Sequence, residues 1–159
     1  MSEVVAYHEA GHALMALLLG AEIRIVTIEP DNDEGPERQG DTQVLWRRSG
    51  ISDKAFAKNA VQVCLAGPVA EMIYSGDPYH PGLVAEWAAD WRGAWAAAVF
   101  LHADDRQRLK YLEDVSIQIY HWLKQDDYWA ALASLADHLL AHETLDGEQV
   151  KEIVGDWLG

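Results

Sequence analysis

The chain of 159 residues is half hydrophobic and 24% charged, with a formal net charge of -14. It fits one globular domain over residues 1–159, able to bury a real core, and excludes a disordered chain. Its negative field repels phosphate backbones and anionic lipid, which argues against nucleic-acid binding and membrane insertion and favours cationic ligands or metal ions.

Ser2-Glu3 predicts the start of a helix that runs to about Leu19 and stops at Gly20. Val5, Leu14, Leu17 and Leu18 make it a largely buried one. The longest apolar run, Ala13 to Ala21, is too short to span a bilayer, and no basic region precedes it as in a signal peptide. Glu22 to Glu29 alternates around Ile23 and Ile25 and reads as a strand. Pro30 to Gly40 reads as an exposed loop, and Thr42 to Arg47 as a second short strand. Ser52-Asp53 caps a long helix to about Tyr74, closed by Ser75-Gly76-Asp77-Pro78. Within it, Cys64 sits in an apolar stretch as a buried thiol. It is the one cysteine, so no intrachain disulfide forms and a reducing, cytoplasmic setting is expected. After a loop from Asp77 to Gly82, further helices are expected at about Leu83–His102, Asp104–Lys124, Asp127–His142 and Gly147–Leu158. The class is mainly α, with a small two- or three-stranded sheet near the N-terminal half.

Residues 8 to 12 read HEAGH. Residues four apart on a helix differ by about 40° and about 6 Å of rise, so His8 and His12 share a face and can share one ion. Neutral imidazoles are good zinc ligands. Glu9, beside the first of them, can take a proton from a zinc-bound water. Gly11 inside a helix costs about 1 kcal/mol relative to Ala, so a close contact should offset it. A catalytic zinc usually takes three protein ligands. Glu86 and Asp90, four apart among Trp87, Ala88, Ala89, Trp91 and Ala94, are the candidates for the third. Carboxylates in such company need a partner or a solvated face. His138 and His142 are also four apart, but Leu139 follows the first, so no base accompanies them. His80, His102 and His121 stand isolated.

Three segments carry a resemblance. Ala6 to Leu14 (AYHEAGHAL) resembles the zinc site of the FtsH-type ATP-dependent zinc metalloproteases. Cys64 to Asp77 is similar to that family's Gly-Arg-Ala-Ala-Glu helix, and Leu139 to Val154 to its Leu-Leu-x-x-Glu-Thr-Leu-x-Gly segment. They follow the family's order over nearly the whole chain. The resemblance implies a helical, zincin-like peptidase domain, zinc-dependent peptide hydrolysis and assembly into homo-oligomers. It also implies an aspartate as third ligand, followed four residues later by Ala. Asp90 with Ala94 fits that pattern, and Glu86 stands second. These 159 residues carry no P-loop pattern, and no membrane anchor is expected among them. The loop before Asp90 is longer than the family's and lacks the Thr-Thr-Gly-Ala run, and Pro68 stands where the family has Arg.

The expected function is therefore a zinc metalloendopeptidase acting on unfolded or flexible polypeptide, with or without a partner unfoldase. Substrate is expected to lie along the strand edge Thr42–Trp46. The alternative is a non-enzymatic helical binding or assembly module, whose structural or vestigial zinc would be closed by a fourth ligand.

Overall fold

A computed structural model describes residues 2–30, 40–76, 82, 84 and 87–159. Outside the described residues lie His80, Glu86, most of the two expected loops and the expected start of the third helix; the capping side chain of Ser2 is likewise not described. Among the described residues nine elements follow in order: α1 (Ser2–Leu18), β1 (Glu22–Thr27), β2 (Asp41–Leu45), α2 (Asp53–Ser75), α3 (Ala88–Ala98), α4 (Asp105–Leu123), α5 (Asp126–His142), β3 (Thr144–Asp146) and α6 (Gly147–Leu158).

Helix α1 runs through the middle of the core. Residues 9 to 16 are all buried, so its centre has no solvent face. It stops at Gly20, whose φ of 85° is left-handed. The Gly20 N–H donates to Leu17 O (3.1 Å) and the Ala21 N–H to Ala16 O (3.0 Å), which caps the carbonyls that the helix end leaves open. Leu14 is fully buried, whereas Leu18, expected in the core, lies at the frayed end and is 40% exposed. At Gly11 the helix meets α2. A Cβ there would lie 2.5 Å from Ala66 O and 2.7 Å from Ala70 Cβ, so only glycine permits this crossing. The close approach is the contact that offsets glycine's cost in a helix.

The second helix follows its sequence signals. The Ser52 side chain accepts from the Ala55 N–H at its start, and Gly76, at φ 80°, ends it. Pro68 lies inside α2 and is buried. It brings no N–H to the Cys64 carbonyl four residues back. Helix α3 ends at Ala98, short of the expected His102. The Leu101 and His102 N–H groups both donate to Ala98 O, and buried Arg108 holds His102 O and Ala103 O through Nε (2.9 Å) and Nη2 (2.8 Å). With those carbonyls taken by a guanidinium, the chain turns into α4, which Asp104 caps.

The sheet has the order β2-β1-β3, with β1 antiparallel to both neighbours. A register shift between Ile23 and Ile25 breaks the expected alternation, so Ile23 and Val26 face the core and Ile25 is only half-buried. The third strand comes from far along the chain. Leu145, 1% exposed, anchors it under β1, and a Cβ on Gly147 would run into the Ile23 carbonyl. Asp146 then starts α6 with a reciprocal cap. The Gln149 N–H donates to Asp146 Oδ1 (2.8 Å), and the Asp146 N–H donates to Gln149 Oε1 (2.9 Å). Asp146→Ala removes that cap, and its expected cost is about 1 kcal/mol in urea unfolding. Among the described residues no helix is long and apolar enough to cross a membrane.

Candidate metal centre

The spacing of HEAGH puts both imidazoles on the face of α1 that looks toward α2 and α3. Asp90 enters from the first turn of α3. The two Nε2 atoms stand 3.2 Å apart. Asp90 Oδ2 lies 2.8 Å from His8 Nε2, and Oδ1 lies 3.3 Å from His12 Nε2. Two ligands each about 2.05 Å from a tetrahedral ion are about 3.3 Å apart, which the His8–His12 and His12–Asp90 distances match, while the 2.8 Å His8–Asp90 hydrogen bond would open slightly around an ion. Among the described residues, these three side chains form the group of potential metal ligands, with ligand atoms all within 4.8 Å.

The far nitrogen of each ring is also engaged. His12 Nδ1–H donates to Val63 O at 2.6 Å. That bond leaves Nε2 as the free nitrogen and aims it at the cluster. The ring fits only because residue 67 is glycine: a Cβ there would collide with the imidazole. His8 Nδ1 faces Glu71 Oε1 at 3.4 Å, and the other Glu71 oxygen accepts from the Trp87 indole N–H at 2.7 Å.

The two imidazoles and the carboxylates around them shift one another's proton affinities. Burial pushes the His8 pKa down, but the facing Asp90 and Glu71 carboxylates outweigh it and lift it to about 10. Burial likewise lowers His12, but the Asp90 carboxylate, joined by Glu9, leaves it raised overall. Burial raises Asp90, yet the two imidazoles hold it well below the usual carboxylate range. The sign for metal-free stability follows. A raised imidazole stabilises fully below its unfolded value of 6.5, and that stability is lost as pH climbs through about 10. A lowered carboxylate stabilises above its unfolded value of 3.8, and that stability is lost as pH falls. In chelator, the urea midpoint is therefore expected to be highest between those two unfolded values and to fall on the alkaline side. A midpoint that rises from neutral pH toward pH 10 would contradict this account.

Glu9 is 7% exposed, and its charge acts on both imidazoles. Thr42, on strand β2, donates from Oγ1 to Glu9 Oε1 at 2.7 Å. Gly40 lets the chain pass this close: a Cβ there would sit 2.9 Å from Glu9 Cγ and 2.9 Å from Val5 Cγ1.

Of the candidates read from sequence, His8, His12 and Asp90 come together with Glu9 beside them, and Glu86 lies outside the described residues. His138 and His142 are exposed on α5, and His138 Nδ1–H donates to Ser134 O (2.8 Å). His102 packs on the Tyr111 ring and His121 on the Tyr120 ring. Cys64 is free and half-buried, and burial pushes its thiol up to about 12, which suits an inert side chain. Sequence reasoning missed Val63 O, Gly67, Glu71, Thr42 and Trp87. Gly67 and Glu71 fall within a segment that carries the resemblance, and Thr42 opens the strand expected to bind substrate, though its contact with Glu9 was not foreseen; Val63 and Trp87 gave no signal.

No protein-family profile matches the chain. An ATP-dependent zinc metalloprotease FtsH 4 of Sorangium cellulosum is 33% identical over 94% of this chain and 28% of its own length. An ATP-dependent zinc metalloprotease FtsH of Chloroflexus aggregans is 29% identical over 95% of this chain and 28% of its own. One from Synechococcus is 40% identical over 47% of this chain. The chain thus spans only 28% of the length of the first two relatives. Over that stretch, the chain belongs to the FtsH-type zinc metalloprotease family.

Proposed function

We propose that the chain is a zinc metalloendopeptidase domain that hydrolyses unfolded or flexible polypeptide, with His8, His12 and Asp90 as ligands and Glu9 as the catalytic base. The observation that carries this reading is the convergence of two imidazoles and one carboxylate beside a buried glutamate. Bound there, zinc supplies a Lewis acid that makes water more acidic and a peptide carbonyl more electrophilic. Glu9 takes the proton of the attacking water and returns it to the leaving amine. Thr42 holds one carboxylate oxygen of Glu9, which leaves the other to receive that proton. A purely structural site has no use for such a base.

The same contact suggests where substrate lies. Strand β2 is one of the two outer strands of the sheet among the described residues, and it is the one that carries the threonine touching Glu9. An extended peptide added along that edge is brought to the base through backbone hydrogen bonds. The side chains of His8 and His12 are only 13% and 10% exposed, so a folded substrate does not reach them and an extended segment does. The relatives are named ATP-dependent. A partner unfoldase, an ATP-driven module or a homo-oligomeric chamber would accordingly present unfolded chain to this domain, and the single free cysteine suits a cytoplasmic setting.

The test is cleavage of an unstructured fluorogenic polypeptide by zinc-loaded protein. Activity lost in chelator and restored by zinc supports the reading. Stoichiometric zinc without cleavage of any unfolded substrate overturns it in favour of a binding module.

A further inference from the structure

We propose that Trp87 is a positioning residue of this metal centre, acting through Glu71 on His8 and through its own backbone on Asp90. The inference rests on the zinc reading above. An indole N–H is a donor only, and a buried one needs an acceptor. Trp87 is 3% exposed. A backbone carbonyl would satisfy it as core packing alone requires. Its acceptor is instead Glu71 Oε2, at 2.7 Å, on the carboxylate whose other oxygen faces His8 Nδ1. The indole thus holds Glu71 against one rotation, and Glu71 holds the His8 ring so that Nε2 points at His12 and Asp90.

The backbone of the same residue does a second job. Trp87 is the N-cap of α3, with no side-chain cap of its own, and its N–H donates to Val84 O at 3.1 Å. Asp90 follows three residues later. Seating the indole between α2 and α3 therefore sets where α3 begins, and with it how far Asp90 reaches. One side chain links the carboxylate that comes from α3 to the imidazole that comes from α1.

Trp87→Phe keeps the buried ring and removes the N–H. The readouts are zinc affinity by competition with a chromophoric chelator and the visible absorption of the cobalt-substituted protein, with urea unfolding of the metal-free protein as control. Zinc affinity is expected to fall about 10- to 100-fold, as for other groups that orient a metal-bound histidine. The cobalt band should change in position or intensity. Glu71→Ala should give a similar loss, and Trp87→Phe added to it should change affinity little, because both act along one path. Unchanged affinity and cobalt spectrum in Trp87→Phe overturn the proposal and leave the zinc reading standing. Independent, additive losses overturn it too. A parent protein that binds no zinc fails earlier, in its own titration, and overturns both. If Trp87→Phe does not fold, Glu71→Ala with unaltered zinc affinity overturns it.

Discussion

Glu9→Gln is expected to keep zinc and to lose about 100- to 10,000-fold in kcat/KM on an unstructured peptide, the range typical of removing a general base. The amide matches the carboxylate in shape and can still accept from Thr42 through its oxygen, so the contact at 2.7 Å to β2 survives. It cannot take a proton from water. None of the three proposed ligands is touched, so metal stoichiometry should be unchanged, and circular dichroism should show the same fold. The comparison separates chemistry from assembly: a ligand variant loses metal and activity together, whereas Glu9→Gln loses activity alone. Near-parental hydrolysis by zinc-loaded Glu9→Gln would remove Glu9 from the mechanism.

Gly67→Ala should have the second largest effect, on a residue that carries no functional group. The added methyl would collide with the His12 ring, 2.6 Å from Cε1 and 2.7 Å from Cδ2. The ring can yield only by turning away from Val63 O, and that turn takes Nε2 off the shared centre. Zinc affinity is expected to fall at least about 10- to 100-fold, as when other groups that orient a metal ligand are lost. Global stability should fall by no more than about 2 kcal/mol. Overpacking costs about 1–3 kcal/mol, while alanine in place of glycine inside a helix returns about 1 kcal/mol. A folded protein with little net loss of stability and a failed metal site is the signature. Zinc binding equal to the parent's would mean that His12 does not ligate through the nitrogen assigned here.

Much of this architecture could be read in advance, because the signals are local. Ser52, Gly76, Asp104 and Gly20 start or stop helices through hydrogen bonds to residues three to five positions away, and each does so where expected. The expected break from Gly11 to its reason illustrates the limit. Its cost is visible in one helix, but the Ala66 carbonyl that explains it belongs to another. The alternation of β1 misled for a similar reason. The bulge after Ile23 depends on pairing with β2, so period two alone chose Ile25 where the core takes Val26. The strand Thr144–Asp146 gave no alternation to find in three residues, and it exists because β1 offers an open edge.

The helix that bears His8, Glu9 and His12 is a property of the sequence alone. Its periodicity places the two imidazoles on one face whatever surrounds them. Which carboxylate meets them is a property of the packed chain. Asp90 is 82 residues from His8, and no periodicity operates over that distance; only the docking of α3 on α2 brings the two side chains to 2.8 Å. The same holds for Val63 O, Gly67, Glu71, Trp87 and Thr42. Each acts on the site through a contact between separate elements, and such contacts exist only once the helices and the sheet have buried their apolar faces against one another.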